Sequence, residues 1–197
     1  MSNPKSKLSM FILINAALIS ITTACGGNQS GDTGKAPNAE TPMTAGGLKA
    51  GMFDTAWLTA YASWTPVLSG DKALKSDGHG GIWVHSYLND RAAMHAATAS
   101  NPFPLPEGAV LAKAVVPAET SNVTTDVTRV YFMKKEKTGY DLEHANWSYA
   151  VATLVNGRLT YDASVAPRQG VCVSCHAKFN EYDYAKTVDI YRKRLGK

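Results

Sequence analysis

Five residues, Cys172-Val173-Ser174-Cys175-His176, restrict this chain more than any other stretch. Two thiols three positions apart, followed directly by an imidazole, have the spacing by which a porphyrin is attached to protein. Each thiol adds across one vinyl group and forms a thioether. The histidine then swings beneath the ring as an axial ligand to iron. The motif therefore points to one haem c, attached through Cys172 and Cys175, with His176 as proximal ligand. Other uses of Cys-x-x-Cys fit less well. A thioredoxin-like dithiol opens a helix after a strand in a parallel α/β unit, whereas this motif follows a region that reads as antiparallel. A zinc centre needs about four ligands, and only distant histidines accompany the two thiols. A plain disulfide would leave His176 without a role.

Haem attachment of this kind belongs to exported proteins, and the start of the chain agrees. Lys5 and Lys7 precede an apolar run from Leu8 to Ile21, the order of a secretory signal. The run falls short of the ~20 apolar residues that a membrane span needs. It ends in Thr22-Thr23-Ala24-Cys25-Gly26, which resembles the lipobox of bacterial lipoproteins. That resemblance implies cleavage after residue 24 and lipidation of Cys25, and it accounts for the third of the three cysteines. No aspartate follows Cys25, which by the same resemblance favours the outer membrane, on the periplasmic side. Residues 25–47 are Gly, Ser, Thr, Asn and Pro with scarcely an aliphatic side chain, so they read as a flexible tether. The formal net charge is +4, and Lys5 and Lys7 account for two of those charges. What remains is too little to imply a nucleic-acid partner.

Residues 48–197 are long enough for one domain around one core. Asp54 can cap a helix carrying Trp57, Leu58, Tyr61 and Trp64. Ile82 to Leu88 alternates and is rich in β-branched and aromatic residues, so a strand is expected there. Asn89 or Asp90 then caps a short helix through Ala99. Pro102, Pro104 and Pro106 force an extended passage. Further strands are expected at Ala109–Val116, Val127–Lys134, Trp147–Val155 and Arg158–Asp162, the last two joined by Asn156-Gly157, a tight-hairpin signal. The haem motif opens a terminal helix reaching about Arg194. The fold class is α+β: an antiparallel sheet of about five strands with helices flanking it at both sequence ends.

The motif's position after the strands separates this chain from ordinary helical cytochromes c, whose motif comes early. The chain resembles the cytochrome P-460 and cytochrome c′-beta family. The resemblance rests on Val84–Asn89 ahead of a short helix, on Pro106-Glu107-Gly108-Ala109-Val110-Leu111-Ala112-Lys113, on Asn146-Trp147-Ser148-Tyr149, and on Cys172–His176 followed by Asp183-Tyr184. It implies the same sheet-and-helix fold, and it singles out Lys113. In the P-460 branch a lysine in this strand is cross-linked to the haem, which makes Lys113 the catalytic candidate. Read from the residues, Lys113 shares a strand face with Leu111 and Val115, so it either snorkels to water or is held against something. Hydroxylamine-oxidising members also use a carboxylate in the following strand. Val127–Met133 contains no Asp or Glu, which weighs against that chemistry because a general base must lie within hydrogen-bond reach.

The sixth iron position decides function: a strong ligand means electron transfer, and an open position means binding of small molecules. The candidates are Met94, Met133, His85, His95, His79 and His144. Of these, Met133 and His85 lie in strands, while His79 falls in a Gly-rich loop and reads as solvated, as do His95 and His144. Phe103, Phe132 and Trp83 can instead form an aromatic lid over an empty face, and Arg129 can hold an anion. Three functions follow. The first is an exported mono-haem cytochrome binding nitric oxide or a similar nitrogen oxide at an open distal site. The second is a hydroxylamine-oxidising enzyme with Lys113 cross-linked, and the third a six-coordinate electron carrier. The redox partner is not legible. The family resemblance implies a homodimer, although no residue pattern here marks a dimer face.

Overall fold

The computed structural model describes residues 53–70 and 72–197. The expected signal segment, Cys25 and the tether lie outside the described residues.

The alternating segments form one antiparallel sheet. Its long strands are β3 (Ile82–Leu88), β4 (Val110–Val116), β5 (Arg129–Lys135), β6 (Trp147–Val155) and β7 (Arg158–Tyr161). They lie side by side in chain order. Two short strands, β1 (Thr65–Pro66) and β2 (Leu74–Ser76), add to the outer edge of β3. Neither has enough residues to show an alternation in the sequence. Asn156-Gly157 makes the β6–β7 hairpin, with Val155 opposite Arg158 and both turn residues at positive φ.

Strand geometry sends alternate side chains to opposite faces. The register places Leu111, Lys113 and Val115 in line with Leu88, Ser86 and Val84 on one side and with Met133, Tyr131 and Arg129 on the other. Trp147, Tyr149 and Val151 continue that face on β6. The opposite face carries Val110, Ala112, Ala114, Val130, Phe132, Ala150 and Ala152. It is covered by α1 (Trp57–Ala60) and the 3₁₀ turn Tyr61–Ser63, whose Trp57, Tyr61 and Trp64 pack on Phe132 with ring centroids 6.2–6.4 Å apart. The expected N-terminal helix is therefore short. Asp54 does accept a hydrogen bond from the Ala56 amide at its start.

The Lys113 face is covered by three helices. α2 (Asp90–Thr98) is capped by Asn89, whose Oδ1 accepts from the amides of Ala92 and Val110. Its buried Ala92, Ala93 and Ala96 let α4 (Lys186–Arg194) approach closely, and Val188 and Tyr191 fill the contact. Arg192 adds two donors to the Ala96 and Ala99 carbonyls. The third helix, α3 (Gly170–His176), carries the haem motif. The sequence suggested one helix from there to Arg194. Instead a 3₁₀ segment, Ala177–Tyr182, follows α3, and Asp183 and Tyr184 both adopt positive φ before α4 begins. Left-handed backbone is unfavourable for such residues, so tertiary contacts must hold this break.

Candidate haem-binding site

Asp183 shows what those contacts are. Its Oδ1 lies 2.6 Å from the Lys135 ammonium, and its Oδ2 accepts from the Leu105 amide at 2.8 Å. Its carbonyl accepts from Trp147 Nε1 at 2.7 Å. Both charged side chains are almost wholly out of water, at 8% and 5% exposure. The Lys135 ammonium also lies over the Trp147 ring, 5.0 Å from its centre. Asp183 is thus gripped from the sheet and from the proline-rich passage before β4. The backbone turn it makes presents the next carbonyl, Tyr184 O, to His176 Nδ1 at 2.9 Å.

That hydrogen bond fixes the histidine. A carbonyl can only accept, so Nδ1 carries the proton and Nε2 is left with a lone pair to give. This is the usual preparation of an imidazole for a metal. Burial, partly offset by the Tyr184 bond, pushes the His176 imidazolium down to about 4, with Lys113 nearby acting in the same direction. The imidazole is therefore neutral at physiological pH.

α3 explains the motif's geometry. Cys172 and Cys175 lie three residues apart on one helical face, with His176 directly after them. Both cysteines are half-buried, and no disulfide joins them. Cys172 packs at the edge of the core beside buried Val173, and burial raises its thiol above the ordinary range, so it stays protonated. The approach to α3 is tied to the sheet. Arg168 Nε donates to Asp141 Oδ2 at 2.8 Å, and the Tyr149 amide donates to the Pro167 carbonyl at 2.8 Å.

The sheet face opposite these groups is polar. Tyr149 lies against the His176 ring, centroids 5.5 Å apart. Its hydroxyl is buried and has no hydrogen-bond partner among the described residues. Lys113 is half-buried on the same face, and burial pushes its amine down to about 8. Tyr131, its neighbour on β5, stacks on His79 at 4.9 Å. The His79 ring is 6.3 Å from that of His176. Burial, then Lys113 and His176, push His79 down to about 4. Reading His79 as a solvated loop residue is therefore corrected: the 3₁₀ turn Asp77–His79 brings it onto the site.

A haem fits these residues. Neither thiol is in a disulfide, Nδ1 of His176 is the ring nitrogen bonded to Tyr184, and the orphaned Tyr149 hydroxyl needs a partner that the described polypeptide does not give it. Among the described residues no group of three or more His, Cys, Asp or Glu is placed to hold a bare metal ion. The sequence profile of the Cytochrome P460 family matches residues 59–187. The chain belongs to the cytochrome P460 family. As a member of that family it is a haem c cytochrome. No curated protein matches it closely.

Other residues raised by the sequence fall elsewhere. His85 projects from the opposite side of β3 to Ser86, and its Nε2 bonds the Ser121 carbonyl. Met94 is 67% exposed. His144 pairs with Asp141, and His95 lies on α2 with its Nε2 buried. Met133 is on the site's face but buried in the core with Leu111 and Tyr149. The aromatic lid is not assembled: Phe132 packs under α1 on the far face, and Phe103 packs on Tyr182. Arg129 is exposed and reaches the Tyr131 hydroxyl at 3.3 Å. Tyr131, Tyr149 and the Lys135–Asp183 pair escaped the sequence reading. The alternation of β5 and β6 placed both tyrosines on the Lys113 face, but nothing local tied them to His176.

Proposed function

We propose that this chain is an exported, lipid-anchored mono-haem c cytochrome that binds nitric oxide or a similar small nitrogen oxide on the haem side opposite His176. The observation that supports it most is the pair of half-buried thiols on α3, preceding an imidazole whose Nδ1 donates to Tyr184. A haem bound there would supply a redox-active iron able to take small ligands. The polypeptide holds it by two thioethers at Cys172 and Cys175. The Tyr184 carbonyl orients His176 and raises its donor strength. Tyr149 offers a buried hydroxyl, and Lys113 and Tyr131 make the adjoining sheet face polar. Cys25 anchors the protein by lipid on the periplasmic side, with the outer membrane favoured and residues 25–47 as spacer.

Hydroxylamine oxidation is the second reading, and Lys113 favours it, because its amine stands on the site's face and is largely neutral above pH 8. Against it, the residues of β5 on that face are Arg129, Tyr131, Met133 and Lys135, none of them a base of the carboxylate kind.

Peptide mass mapping and nitric oxide titration of the purified protein test both. Haem mass on the Cys172–Cys175 peptide alone, with a nitric-oxide-induced spectral change, is the expected result. Haem mass shared with the Lys113 peptide would move the assignment to the enzyme. Cys172→Ala with Cys175→Ala should leave no covalent haem.

A further inference from the structure

His79 repeats the features that mark His176. It sits at the end of the turn Asp77–His79, held by β2 and β3 on either side. Its Nδ1 is 2.9 Å from Ser76 Oγ, and in the tautomer whose Nδ1–H donates to that hydroxyl Nε2 keeps its lone pair. Its ring rests on Tyr131, as that of His176 rests on Tyr149. Tyr131 and Tyr149 are diagonal neighbours on one sheet face, since Tyr131 pairs with Val151 and Met133 with Tyr149. Diagonal neighbours are about 7–8 Å apart. The sheet therefore stands two imidazoles next to each other across a narrow gap.

The width of that gap is informative. Two imidazoles that share one metal through Nε2 each contribute a bond of ~2.0–2.1 Å and a ring radius of about 1.1 Å. Their ring centres then lie about 6 Å apart. The observed separation is 6.3 Å. Their planes are turned 64° from one another, which leaves both free to contain a common ligand axis. Direct stacking would bring the rings closer, and this spacing is shared by an edge-to-face ring contact and by two imidazoles on one metal.

We propose that His79 Nε2 is the second axial ligand of the haem iron in the resting protein. The inference rests on the assignment of haem to Cys172, Cys175 and His176. It changes the ligand-binding picture, because the distal position is then guarded by a side chain that an incoming molecule must displace. Coordination uses the lone pair of a neutral imidazole, so no proton or electron is exchanged when the bond forms. When nitric oxide enters, the His79–iron bond breaks and the ring withdraws on its turn, still held through Ser76.

Absorption and electron paramagnetic resonance spectra of the purified holoprotein, wild type and His79→Ala, test this. The wild type should be low-spin in both oxidation states. H79A should become high-spin, and added free imidazole should restore the low-spin spectrum, which a merely misfolded variant would not do. Haem mass on H79A verifies that attachment survives. Nitric oxide association to the ferrous wild type should saturate with concentration, while H79A should respond linearly. Its apparent affinity should rise about tenfold or more, the factor by which a position nine-tenths occupied weakens a competing ligand. A high-spin wild type that binds nitric oxide overturns the His79 ligand and leaves the proposed function standing. A low-spin spectrum unchanged in H79A also overturns it. A low-spin wild type made high-spin in H79A, with no nitric oxide binding in either, keeps the ligand and removes the gas-binding function. A colourless polypeptide removes both.

Discussion

Replacing Asp183 with asparagine isolates the charge pair that holds the break between α3 and α4. Asparagine has nearly the same shape and keeps an oxygen for the Leu105 amide. The main loss is the negative charge facing Lys135 at 2.6 Å. With 8% and 5% exposure, neither group has water to fall back on. Breaking a buried pair from one side costs ~3–5 kcal/mol, because the partner is left as an uncompensated buried charge. That is a large share of the ~5–15 kcal/mol by which a domain is usually stable. Removing both charges is a different matter. Asp183→Asn combined with Lys135→Met should recover most of the loss, since apolar replacement of a buried pair is often neutral or better. Urea unfolding of the holoprotein, followed by tryptophan fluorescence, measures all four corners of the cycle. The same variants should be recorded spectrally, because a relaxed Asp183 turn lets the Tyr184 carbonyl move off His176. A loss below about 1 kcal/mol in Asp183→Asn, or simple additivity in the double variant, would refute the reasoning.

Lys113→Met should raise stability at pH 7 by ~1–3 kcal/mol in a haem-free chain, because the wild-type ammonium is charged there at a buried position. The folded amine sits at about 8, below its ordinary 10.5. Wild-type stability should therefore climb as pH rises from 8 to 10.5, and the variant should lack that slope in denaturant titrations. Tyr149→Phe should change sign with haem. Without it, deleting an unpartnered buried hydroxyl should be neutral or stabilising by about 1 kcal/mol. With haem, thermal denaturation should show a loss if the hydroxyl bonds the bound group. In a Cys172→Ser, Cys175→Ser chain, His79 and His176 stay neutral down to about 4. The unfolded chain protonates first, so stability should fall as pH drops from 6.5 towards 4, by at most ~3 kcal/mol per histidine. Constant stability between pH 7 and 5 would contradict it.

What the sequence reveals follows from how local each constraint is. The haem motif is legible because covalent chemistry fixes its spacing. β3, β4, β5, β6 and β7 are legible because each alternates over several residues, and the face shared by Leu111, Lys113 and Val115 follows from that alternation alone. β1 and β2 are too short to carry a period. The break at Asp183-Tyr184 is invisible because helix periodicity continues through it. It exists because Leu105, Lys135 and Trp147, all distant in the chain, grip one aspartate. His79 is missed for a similar reason: a Gly-rich neighbourhood reads as solvent-facing, and only the fold places it over Tyr131.

The grip on Asp183 also sets an order of events. Leu105, Lys135 and Trp147 all precede the thiols in the chain. A polypeptide delivered amino end first therefore presents these three holding residues before the Cys172–His176 motif arrives. The Tyr184 carbonyl that fixes the His176 tautomer is placed by those contacts, so under the proposed haem ligation an axial signature would report completed assembly. Colour alone would mark the covalent product, whereas a sharp axial signature would mark the finished molecule.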